Sequence, residues 1–166
     1  MNKTKQIFNT ITITVFIIAM LFFFTPCTTN AQGSSYSSEK IIERFSNGDY
    51  ITSSIEQYPA SSSRSSDSKV TSGQKTYKYK SSSGTVLWTI TCKATFSYNG
   101  KSSSCTSVTA STKTYSSLWT TTNKKSLKSG NTATATATGK RYSGHTVIQS
   151  VTRSAVLKCS ASGKLS

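Results

Sequence analysis

The chain carries one imidazole, His145, four thiols, Cys27, Cys92, Cys105 and Cys159, and five carboxylates, Glu39, Glu43, Asp49, Glu56 and Asp67. A serine nucleophile needs a histidine base that is itself oriented by an acid, and both aspartates stand far upstream of His145, in a different part of the chain. From Ser68 to Ser166 there is no carboxylate at all, so paired-carboxylate acid–base work has no source there. Cys92 lies on the apolar face of an alternating segment, where a thiol is protonated and unreactive. One histidine and widely separated cysteines lack the close ligand spacings of a zinc site, and no glycine-rich phosphate cradle is present. These residue types argue against an enzyme, and no catalytic residue, metal or cofactor is expected.

What the sequence has in abundance is positive charge and hydroxyl groups. There are 20 Lys and Arg against the five acids, a formal charge of +15; the 99 positions from Ser68 to Ser166 hold 15 basic residues and 40 Ser and Thr. Such a surface attracts polyanions over a range set by salt. The expected partner is an anionic polysaccharide or teichoic acid, with Lys78, Lys80, Lys140, Arg141 and Tyr142 as the expected contacts. Tyr77, Tyr79 and Tyr115 could extend a stacking face beside them. The plainer reading is that the lysines keep a hydroxyl-rich sheet soluble and guard its edges. Two further readings are a protein-interaction module of adhesin type that pairs through an edge strand, and a secreted antibacterial or toxin-like protein.

Three segments must position these groups. Lys3 and Lys5 precede an apolar run of 14 residues, Ile11 to Phe24, and Thr29-Asn30-Ala31 offers the small residues of a cleavage site. Residues 1–31 are therefore expected to be a signal peptide, too short in its apolar run for the ~20 residues of a membrane span. Secretion follows, without stable membrane insertion once the leader is removed. Residues 32–74 read as a short N-terminal arm and linker. In it, Ser38 to Phe45 suits two capped helical turns, Tyr50 to Ile55 is strand-like, and Ser61 to Ser68 is too polar to bury anything.

From residue 75 to 166 the pattern is strand alternation. Val86, Trp88, Ile90, Cys92, Ala94, Phe96 and Tyr98 fall on one face and Thr89, Thr91, Lys93, Thr95 and Ser97 on the other. Asn99-Gly100 reads as a two-residue hairpin loop, with the return strand over Ser102 to Thr112 and Cys92 diagonal to Cys105. Leu118 to Thr122 is a short strand, Asn123 to Asn131 a turn, and Thr132 to Thr138 alternates Thr with Ala without a break. With Ala133, Ala135 and Ala137 inward, a facing sheet can approach closely and bring Trp88 or Trp119 opposite. Gly139 to Gly144 reads as a loop and Thr146 to Cys159 as the last strand. The expected fold is all-β, an antiparallel β-sandwich.

Cys105, Trp119 and Cys159 stand in the order cysteine, tryptophan, cysteine on a late strand, which resembles the immunoglobulin core arrangement. That resemblance implies an immunoglobulin-like sandwich with a disulfide between Cys105 and Cys159, closing a loop of about 54 residues and contributing ~4 kcal/mol in the chain-entropy picture. Leu157 stands where the corner tyrosine of that fold belongs. The segments Phe96-Ser97-Tyr98-Asn99-Gly100-Lys101, Lys128-Ser129-Gly130-Asn131, Gly139-Lys140-Arg141-Tyr142 and Cys159 to Ser166 resemble a group of small secreted proteins of Gram-positive, Firmicute-type gut bacteria without an assigned activity. This likeness covers about Lys75 to Ser166 and implies export and an all-β fold, with no catalytic signature.

Overall fold

The computed structural model describes residues 35–62 and 68–166. The expected signal peptide and Cys27 lie outside them. Nine strands follow in order: β1 (Ser35–Tyr36), β2 (Lys40–Arg44), β3 (Tyr50–Ser62), β4 (Lys69–Lys80), β5 (Val86–Tyr98), β6 (Ser103–Thr114), β7 (Trp119–Ser129), β8 (Thr132–Ser143) and β9 (Thr146–Lys158). They form two antiparallel sheets, one ordered β1-β3-β4-β5-β6 with β2 also paired to β3, the other β7-β8-β9. Their inner faces share one core, so the all-β sandwich is what the chain adopts. Each sheet is built from successive hairpins, whereas an immunoglobulin domain uses Greek-key connections.

The core is asymmetric. The first sheet contributes the large groups Ile51, Tyr79, Trp88, Ile90 and Phe96; the second contributes Ala133, Ala135, Ala137 and Ala155, with Trp119, Val151 and Leu157. Small residues on β8 let the sheets close onto the bulky side chains of β5, and at Gly139 no side chain remains at all. A Cβ built there would lie 2.6 Å from Trp88 Nε1 and 2.7 Å from Cζ2. Around this point Tyr79 contacts Phe45, Trp88 and Trp119 with ring centroids 5.2, 5.9 and 4.9 Å apart. Tilted and offset pairs of this kind add about 1 kcal/mol each beyond their burial.

Residues 35–62 are no loose arm. The two helical turns expected over Ser38 to Phe45 are instead β2, because the open edge of β3 supplies hydrogen-bond partners that a short isolated helix lacks. The strand expected to end at Ile55 runs on to Ser62 in register with β4, which itself begins at Lys69 and not at Lys75. The boundary expected at residue 75 therefore falls inside a strand of the sandwich, and the described residues on both sides of it belong to one compact unit. Of the polar linker, Ser61 and Ser62 belong to β3, and residues 63–67 lie outside the described part. No described helix is long and apolar enough to cross a membrane.

The hairpin after β5 also differs from its expected geometry. Asn99 accepts hydrogen bonds through Oδ1 from the amides of Lys101 and Ser102, at 3.0 and 2.8 Å, so the loop spans Asn99 to Ser102. With a bulge after Thr95, Phe96 faces Cys105 and Cys92 faces Ala110. Cys92 and Cys105 then stand four rungs apart, roughly 13 Å along the strands, beyond the reach of a disulfide. The expected Cys105–Cys159 bond is not formed either: both are buried free thiols, as is Cys92. Each thiol turns to a nearby carbonyl, Cys105 Sγ to Ser107 O at 3.3 Å and Cys159 Sγ to Ser160 O at 3.4 Å. Burial pushes all three thiols up, Cys92 to about 11.

Candidate functional site

The five expected contact residues do not share a surface. Tyr79 points into the core, so its neighbours Lys78 and Lys80 leave the opposite side of β4, on the outer face of the first sheet. There Glu39 takes both, with Lys80 Nζ at 2.7 Å and Lys78 Nζ at 3.1 Å. Thr52 adds a hydroxyl donor to the same carboxylate. These two lysines are thus partly neutralised by a carboxylate that lies 39 residues or more from them in sequence. Lys140 lies on the outer face of the second sheet, which looks the other way. Arg141 pairs in register with Trp119 and Tyr142 with Val147, near the end of β8. Tyr77 and Tyr79 are half-buried and buried, so they offer no stacking face.

The Lys80 and Thr52 hydrogen bonds hold the Glu39 carboxyl at about 2, from an ordinary 4.5. A depressed folded-state value means that this carboxylate stabilises the fold fully above pH 4.5 and progressively loses that contribution as pH falls toward 2. Glu39→Gln is therefore expected to flatten the acid limb of the stability curve in that window. Urea midpoints of both proteins between neutral pH and pH 2.5 check it; parallel curves would refute the assignment.

The outer face of the second sheet is built by the Thr-Ala alternation. Because Ala133, Ala135 and Ala137 are buried, Thr132, Thr134, Thr136 and Thr138 must project outward. On β9, Ser154 and Thr152 stand opposite Thr136 and Thr138, and each pair shares a hydroxyl hydrogen bond of 2.8 Å. On β7 a bulge between Thr122 and Lys125 inserts one extra residue. Asn123 adopts φ 54° there, the left-handed conformation that asparagine tolerates best among residues with a side chain.

The bulge lifts Asn123, Lys124 and Lys125 beside the hydroxyl row. Together with Thr136, Thr138 and Thr152 they enclose a shallow depression of about 400 Å³. The hydroxyl of Thr122, which pairs in register with Thr138, is buried without a hydrogen-bond partner. The ion pairs of the described residues involve Lys78, Lys80 and Arg153, so Lys124 and Lys125 enter none. Residues 119–158 include seven basic residues and no acid. Hydroxyl donors, an amide and two unpaired ammonium groups around one hollow suit an anionic oxygen group such as a carboxylate or phosphate. The hollow is lined by no carboxylate, thiol or imidazole, and His145 is exposed in the β8–β9 turn.

Sequence reasoning missed Asn123, Lys124 and Lys125 because the stretch reads as a turn. The usable signal was the fixed outward parity of the threonines, which any residue facing them across β7 must join. No family model, curated protein or solved structure matches this chain.

Proposed function

We propose that this protein is a secreted, non-enzymatic binding module that holds anionic polymers, teichoic acid or an acidic polysaccharide, on the outer face of the β7-β8-β9 sheet. The carrying observation is the depression at the β7 bulge, where Lys124 and Lys125 stand unpaired over Thr136, Thr138 and Thr152. The leader supports export. The hydroxyl lattice supplies short-range donors for successive charged units, and the lysines supply the longer-range attraction. Lys140, farther along the same strand face, extends the track, while Lys78 and Lys80 have no part in it.

The test is retention on immobilised lipoteichoic acid or polygalacturonate across a salt series. Removing two cationic contacts to a polyanion should reduce the log–log salt slope by roughly 1.5. Lys124→Ala with Lys125→Ala should show that reduction and elute early, whereas Lys78→Ala with Lys80→Ala should elute with the parent. Equal elution of the first variant and the parent would overturn the site, and retention insensitive to salt would overturn the reading.

A further inference from the structure

The outward row of β8 has a constant step. From Thr132 to Lys140 this strand pairs with β9 without a bulge, so Thr132, Thr134, Thr136, Thr138 and Lys140 recur every two residues, about 7 Å apart. The extra residue of the neighbouring bulge belongs to β7 and leaves that step intact. Each position brings a donor for an anionic oxygen. Thr136 shares one hydrogen bond with Ser154 and Thr138 one with Thr152, and two hydroxyls joined by a single bond keep one proton to donate elsewhere. Thr134 faces Val156 and keeps its own proton. The Thr132 hydroxyl is turned to Asn131 Oδ1 at 3.3 Å, and the donor at that position is Lys158, which stands opposite it.

Cations recur at every second position: Lys158 opposite Thr132, Lys125 opposite Thr136, then Lys140 itself. None of the three enters an ion pair among the described residues. A polymer that uses the whole row must repeat its charge at the same step and follow the twist of the strand. Phosphodiesters joined by three-carbon bridges do both. Six single bonds separate one phosphorus from the next, as many as the backbone bonds of two amino-acid residues, so an extended chain advances about 7 Å per charge. Rotation about each bond lets it follow the twist. A five-carbon bridge adds two bonds and advances about 9 Å, which puts its second phosphate between two positions of the row. The rigid rings of a polyuronate do not coil with the strand.

We infer that the polymer held on this sheet is a poly(glycerol phosphate), extended along β8 with successive phosphates at Thr132, Thr134, Thr136, Thr138 and Lys140. The inference rests on the reading of the sheet as a polyanion site and narrows it from anionic polymers in general to one spacing of charge. The lysines attract any polyanion, and the hydroxyls between them accept only one whose phosphates keep step.

Fluorescence anisotropy with end-labelled glycerol phosphate and ribitol phosphate oligomers of equal phosphate number tests this. The parent should bind the glycerol series about tenfold more tightly, the equivalent of one charge-assisted hydrogen bond. Its affinity should climb steeply up to about five phosphates, one for each position of the row, and slowly beyond. Thr136→Val with Thr138→Val keeps the β-branched shape and every charge, so it should lower the preference while leaving the salt slope unchanged. Lys124→Ala with Lys125→Ala should weaken both series and reduce that slope. Equal affinity of the parent for the two series, with binding still dependent on salt, would overturn the spacing and leave the polyanion site standing. An undiminished preference in the valine variant would also overturn it. Binding of neither series, or binding indifferent to salt, would overturn the polyanion site and this inference with it.

Discussion

Gly139→Ala is expected to destabilise the fold by about 3 kcal/mol, the upper part of the range for an overpacked core, and to lower the thermal midpoint by roughly 10 °C. The sign is not obvious from the residue alone. A glycine inside a strand has excess freedom in the unfolded chain, and alanine at a compatible backbone position stabilises by ~0.4–1 kcal/mol. Gly139 has no left-handed φ to protect. Here the clash wins, because the new methyl would fall against the fully buried indole of Trp88, 2.6 Å from its nitrogen. Trp88 cannot retreat, being packed against Tyr79 and Trp119. Its Nε1 has no hydrogen-bond partner, so Trp88→Phe loses volume without orphaning an acceptor. The double variant should recover part of the loss, and a chemical-denaturation cycle over the four proteins measures the coupling. Simple additivity would show that the contact is not what constrains position 139.

Asp49→Ala should cost a similar amount, about 3 kcal/mol, for a different reason. The carboxylate is buried and accepts from Tyr79 Oη at 2.9 Å, Asn47 Nδ2 at 2.9 Å and the Ser82 amide at 3.2 Å. Gln149 Nε2 on β9 donates to the same Tyr79 hydroxyl at 2.8 Å, so the network joins the two sheets. Removing its only charged member leaves the buried Tyr79 proton unpaired, and an orphaned buried donor costs ~1–3 kcal/mol; the bonds from Asn47 and the Ser82 amide to a charged acceptor are lost with it. Tyr79→Phe should cost less, since Asp49 keeps its other two donors. A spectroscopic readout is available as well. Burial, and after it the Asp49 hydrogen bond and charge, push the Tyr79 phenol up to about 12 from 10.0. A raised value in the folded state means that its contribution is complete below pH 10 and fades as pH rises toward 12. In Asp49→Ala, ultraviolet titration should find the phenol ionising at lower pH. An unchanged titration would show that burial alone governs it.

What the sequence disclosed followed from parity. The inward set Trp88, Ile90, Cys92, Ala94 and Phe96 is readable because hydrophobic and polar residues alternate without interruption, and all five are buried. The Thr-Ala strand is readable for the same reason, including its close approach to Trp88. Parity fails where one residue is inserted. Asn123 has the residue type of a turn and the conformation of one, yet it bulges a strand that continues to Ser129. A single chain also says nothing of partners distant along it. Nothing near Lys78 or Lys80 announces Glu39, the carboxylate that partly neutralises both of these expected contacts. Likewise Ser38 to Phe45 has short-range helical character that the edge of β3 overrides.

The described carboxylates, Glu39, Glu43, Asp49 and Glu56, all belong to the stretch that makes the β2–β3 side of the first sheet, while the second sheet has only cations. Both sheets are net positive, but only the second carries its cations without an acid of its own. On the proposed reading, the acid-free sheet is the side that an anionic polymer in dilute electrolyte attracts most strongly before contact. Raising ionic strength shortens the reach of that attraction until the two sheets are no longer distinguished at a distance.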